Sequence, residues 1–116
     1  MPSQPTRDKG ELLPGTLEML ILTTLSREPL HGYAIARKIR ECSDDQLRVE
    51  EGSLYPALQR MLVEGWIKGE WAVSSRNRRV RTYTLTDSGR KQLGRETERV
   101  ARLIDGITKV MRLSEA

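Results

Sequence analysis

The chain contains no phenylalanine, a single cysteine and a single histidine, with only two tryptophans and three tyrosines. Each shortage excludes something. Cys42 alone cannot form an internal disulfide. His31 has no Cys, Asp or Glu clustered around it at ligand spacing, so no metal site is expected. There is no Gly-rich phosphate loop and no nucleophile paired with a base, so no cofactor and no enzymatic activity are expected. The pairs Asp44-Asp45 and Glu50-Glu51 read as a solvated loop, not as catalytic carboxylates. The longest apolar run, near Leu17 to Leu25, is too short and too interrupted to cross a bilayer. Nothing near Met1 has the form of a signal peptide. The expectation is a cytoplasmic, nucleoid-associated protein with no membrane contact.

What is present is one domain's worth of chain, 116 residues with 37% hydrophobic and 31% charged. Leu, Ile, Val and Met must build the core. The net charge of +4 is local. Between Lys68 and Thr84 stand Lys68, Arg76, Arg78, Arg79 and Arg81 against Glu70 alone, and the rest of the chain is close to neutral. A confined basic cluster suits a polyanion.

Periodicity divides the chain. Met1 to Gly10 reads as a disordered tail, taken as residues 1–11. "GTLEMLILTTL" is a buried helix with Thr16 as N-cap and Leu17, Leu20, Ile21 and Leu25 at helical spacing. "GYAIARKIREC" is a second helix whose stripe Ile35, Ile39 and Cys42 faces the core. A third starts at Ser53, buries Leu54, Leu58, Met61 and Leu62, and stops at Gly65. "WIKGEWAV" and "VRTYTLT" alternate as strands joined by the loop "SSRNRR", forming a hairpin with Ile67, Trp71, Val73, Tyr83 and Leu85 on its inner face. A last helix begins at Thr86 or Asp87. Its seam is Leu93, Thr97, Val100, Ile104, Ile107 and Met111, widened by Leu103 and Val110. The fold class is mainly α with a small β-hairpin: a winged helix-turn-helix over 12–86 and a dimerisation helix over 87–116.

Pro56 lies near the start of the third helix. With Ser53 as N-cap it is the third helical residue and removes a donor that has no partner anyway. Free N–H groups at this terminus would suit a phosphate. Tyr55, Gln59 and Arg60 project outward, and Gln and Arg pair with adenine and guanine in a major groove. The hairpin tip brings Arg76, Arg78 and Arg79 towards a minor groove or phosphates. The final seam is hard to bury within so small a domain. It should pack partly on Leu12, Leu13 and Leu17 and partly on a partner, setting two reading helices roughly 34 Å apart.

Taken together, "GTLEMLILTTL", "LHGYAIARKI", "GSLYPALQRMLVEGWI" and "TYTLTDSGRKQL" resemble the PadR family of transcriptional regulators over Leu12 to Leu93. The wing is similar to short forms often encoded beside transporter genes. The resemblance implies a homodimer bound to double-stranded DNA, repressing at a pseudo-palindromic operator near its own or a transporter gene. It implies DNA contacts from His31 and Tyr33, from Ser53, Tyr55, Gln59 and Arg60, and from the wing residues Arg76, Asn77, Arg78, Arg79 and Arg81. Some members release DNA on binding small hydrophobic effectors between subunits. The final helix here lacks the aromatic residue that stacks on drugs in some relatives. The competing reading is a winged-helix interaction module whose basic wing grips an acidic protein.

Overall fold

The computed structural model describes residues 15–115, with side chains through Arg112. The expected tail and Leu12 and Leu13 lie outside the described residues. Seven elements follow in order: α1 (Thr16–Leu25), β1 (Leu30–His31), α2 (Gly32–Cys42), α3 (Glu51–Glu64), β2 (Ile67–Val73), β3 (Arg79–Leu85) and α4 (Asp87–Glu115). The hairpin gains a third strand, since β1 pairs antiparallel with β3 to give the order β1-β3-β2. Two residues are too few to show a period, so no sequence pattern marks β1. This strand ties the α1–α2 turn to the wing through Leu30 opposite Tyr83 and His31 opposite Thr82.

The core is aliphatic, as a chain without phenylalanine requires. Ile21, Leu22, Ile35, Leu54, Leu58 and Met61 are fully buried, and Ile67, Tyr83 and Leu85 close it from the sheet. Trp66 and Leu93 pack against its edge. Four local expectations are corrected. Gly15, with φ 86°, is the N-cap of α1 instead of Thr16, and no side chain caps that end. Cys42 is exposed, because it is the last residue of α2 and lies past the edge of the core. Trp71 and Val73 are exposed at 62% and 65%, although they share a sheet face with Ile67. The hairpin projects beyond the helices, so its inner face leaves the core partway along.

The fourth correction concerns α3. It begins at Glu51 behind Glu50, and Leu54 N–H donates to Glu50 O at 2.9 Å. Pro56 is therefore the sixth helical residue and removes the bond that would run to Gly52. Ser53 is already inside the helix. Glu51 in the first turn complements the helix dipole, so this terminus already carries a carboxylate of its own.

Thr86 starts α4. Its Oγ1 donates to Gly65 O at 2.6 Å and accepts from Gly89 N–H at 3.0 Å. A methyl on Gly89 would lie 2.1 Å from Trp66 O, so only glycine allows α4 to cross the α3–β2 turn this closely. α4 packs along α1, with Gly89 buried and Leu93, Glu96 and Val100 half-buried. Further on, Leu103, Ile104, Ile107 and Met111 are all at least 51% exposed.

Candidate nucleic-acid interface

Three elements converge on one open recess of about 1000 Å³. The start of α2 supplies His31 and Tyr33, α3 supplies Tyr55 and Gln59, and the wing supplies Arg76, Arg78, Arg79 and Arg81. Arg37 joins them, so five arginines and no carboxylate line the surface. Arginine without carboxylate attracts a polyanion and presents donors matched to phosphate and guanine.

His31 caps α2. Its Nδ1 accepts from Ala34 N–H at 3.3 Å, which assigns the remaining ring proton to Nε2. Tyr55 lies against the same turn, and a methyl on Gly32 would sit 2.9 Å from the Tyr55 hydroxyl. The base of α2 and the outward side of α3 are thus one packed unit. Tyr33 carries Arg37 over its ring at 5.7 Å, one helical turn later.

The wing is built on a single sheet face that changes character along its length. The pairs Ile67–Leu85, Gly69–Tyr83, Trp71–Arg81 and Val73–Arg79 are cross-strand partners, and such partners share a face. At one end this face is core, and at the other it is the wall of the recess. Arg79 stacks over Trp71 at 4.8 Å, and Arg81 lies over Tyr83 at 5.8 Å. The Arg81 Nε–H is buried and has no hydrogen-bond partner among the described residues. Burial pushes the Tyr83 hydroxyl above its usual range, while the Arg81 charge pulls in the opposite direction. Ser74 closes the tip: its N–H donates to Arg78 O at 2.7 Å, and its hydroxyl accepts from the Arg76 and Arg78 N–H groups.

Not every expected contact joins the recess. Arg60 follows Gln59 by about 100° around α3 and points to the α1 flank, where it pairs with Glu18 at 2.6 Å. Ser53 is exposed but lies outside the recess lining. Asn77 takes a left-handed turn conformation, φ 61°, and its side chain also lies outside the lining. The structure adds Arg37, Trp71, Ser74 and Ser75. Only Arg37 had a legible signal, one turn after Tyr33. Of the seam residues, Leu17 is buried in this chain's own core, Leu93 and Val100 are half-buried, and Thr97 and the residues from Leu103 to Met111 are exposed.

Among the described residues no helix is long and apolar enough to cross a membrane. Comparison with known proteins bears on the same geometry. The chain is 38% identical over 86 residues to an uncharacterized 37.1 kDa protein in transposon TN4556 of Streptomyces fradiae, covering 74% of this chain and 23% of that protein. It is 30% identical over 77 residues to the negative transcriptional regulator PadR of Bacillus subtilis (strain 168), covering 66% and 42%. The chain thus spans less than half the length of either relative. A solved PadR family transcription regulator from Clostridium difficile R20291 superposes with a TM-score of 0.73 at 27% identity, over 84% of this chain and 99% of that one. Residues 21–95 match the model of the transcriptional regulator PadR-like family. With the winged helix and the arginine recess already in place, that match shows that the chain belongs to the PadR-like family of transcriptional regulators.

Proposed function

We propose that this protein is a dimeric, sequence-specific repressor that seats duplex DNA in the recess between α2, α3 and the wing. The observation that carries the reading is the lining itself, with five arginines and no carboxylate. In this reading Gln59 and Tyr55 face base edges, and the wing arginines track phosphates or enter the adjacent minor groove. His31 and Tyr33 hold the start of α2 against the backbone.

The dimer follows from α4. Leu103, Ile104, Ile107 and Met111 form an exposed apolar stripe on a 29-residue helix that also packs along α1. Such a stripe marks an association surface. A second copy is the simplest complement, because a two-fold axis matches the same stripe to itself and presents two recesses to a two-fold operator. A small hydrophobic effector would act on this seam by competing for its apolar surface. The Bacillus subtilis relative is named a negative regulator, which supports repression over activation.

The test is fluorescence anisotropy against the protein's own upstream duplex and a shuffled duplex across a salt series. The expected outcome is preferential binding to the native duplex at two chains per site. The slope should be about −0.9 for each phosphate neutralised. Equal, weak binding to both duplexes overturns the reading and favours an acidic protein as the partner of the wing.

A further inference from the structure

We infer that Gly69 and Trp71 are positioning residues for DNA recognition. They hold Arg81 and Arg79 in their bound geometry before DNA arrives. The inference rests on the DNA-binding reading above and goes beyond it, because neither residue carries a charge or a base-reading group.

The geometry has two parts. First, Gly69 leaves a slot that Arg81 fills. A methyl on Gly69 would lie 2.6 Å from Arg81 Nε and 3.2 Å from Cζ, so any side chain there must evict the guanidinium. Tyr83, the cross-strand partner of Gly69, carries the other side of the stack. Arg81 Nε–H is buried in this slot and has no hydrogen-bond partner among the described residues. Burying an unpaired donor of a charged group is unfavourable, and a buried orphan in a folded protein calls for an explanation. Holding the terminal nitrogens of Arg81 at the recess wall is one. Second, Trp71 is 62% exposed yet carries Arg79 at 4.8 Å over its ring. An exposed tryptophan on a small wing covers little core, and its evident contact is this arginine.

A free arginine side chain must be ordered when it binds, and stacking on a ring reduces what is lost at that moment. Counterion release, in contrast, depends on how many phosphates are neutralised and not on how firmly the arginines are held. Loss of positioning and loss of charge therefore leave different signatures.

The experiment compares wild type, Gly69→Ala, Trp71→Leu and Arg81→Ala on the native upstream and shuffled duplexes across salt, with circular dichroism melting to confirm folding. Alanine suits a mid-strand backbone, and the atom it displaces is on a flexible side chain, so Gly69→Ala should fold. Gly69→Ala and Trp71→Leu should each lower the affinity for the native duplex by about threefold to tenfold with an unchanged salt slope. Arg81→Ala should flatten the slope by about 0.9. In the free protein the Arg81 Nε–H resonance should be protected from exchange and lose that protection in Gly69→Ala. Wild-type affinity for the native duplex in both positioning variants overturns the inference, as does a slope flattened as in Arg81→Ala. Equal binding of both duplexes by the wild type overturns the DNA reading itself, a distinct result.

Discussion

Arg60 and the wing arginines are all solvent-accessible, but they occupy opposite electrostatic settings. Arg60 spans from α3 to α1 and ends on Glu18, a carboxylate that is only 17% exposed. Arg79 and Arg81 rest on aromatic rings, and among the described residues none of the four wing arginines from Arg76 to Arg81 forms an ion pair. Exposure alone does not make a charge available. A carboxylate partner neutralises an arginine, whereas an aromatic face orients it and leaves its charge for an incoming anion. Two positions that look alike on a surface thus have different work: one fastens α3 to α1, and the other lines the recess.

Substitutions can break this contrast. The largest effect should come from Arg79→Ala with Arg81→Ala. Native-duplex affinity should fall by about tenfold to a hundredfold at physiological salt, with the slope flattened by about 0.9 for each phosphate that is no longer neutralised. Titration by anisotropy checks it, and an unchanged slope would mean that neither arginine touches phosphate. Next come Arg60→Ala and Glu18→Gln. Each should lower stability by less than about 1 kcal/mol in denaturant unfolding while leaving duplex discrimination intact. If Arg60→Ala erased discrimination, Arg60 would have to swing from Glu18 into the groove on binding.

The smallest effect concerns the ring beneath Arg81. Burial raises the Tyr83 hydroxyl above its ordinary value of 10.0. A raised folded-state value means that the contribution is fully present below 10.0 and is lost as pH rises through the higher folded value. The part of the thermal midpoint that Tyr83 contributes should therefore decline only in that alkaline window, and Tyr83→Phe should remove that part of the decline.

Much of this architecture is legible as period and punctuation. The stripes of α1 and α3, the stop at Gly65 and the alternation of β2 and β3 are all local signals, and each element lies where its pattern puts it except at the start of α3. What escapes depends on distant neighbours. Gln59 and Arg60 are adjacent in sequence, but Gln59 lines the recess while Arg60 pairs with Glu18, 42 residues away. Alternation puts Trp71 on the correct sheet face, but no local pattern says where the core stops beneath that face. Ser53 is a better capping residue than Glu50 by chemistry, yet the helix continues past it to Glu51 and tolerates Pro56. The wing's charge cluster is visible directly, since counting charges needs no fold. The shelf of Trp71, Gly69 and Tyr83 that organises it requires strand register.

The exposed position of Cys42 has a practical consequence. It lies on a recess between α1 and α2, beside Thr23, Lys38 and Leu47, and that recess shares no lining residue with the arginine surface. The chain therefore carries one native attachment point for a dye or spin label, away from the arginine recess and needing no engineered thiol. In a two-fold assembly the two labels would form a molecular ruler, reporting the spacing of the winged helices before and after an operator is added.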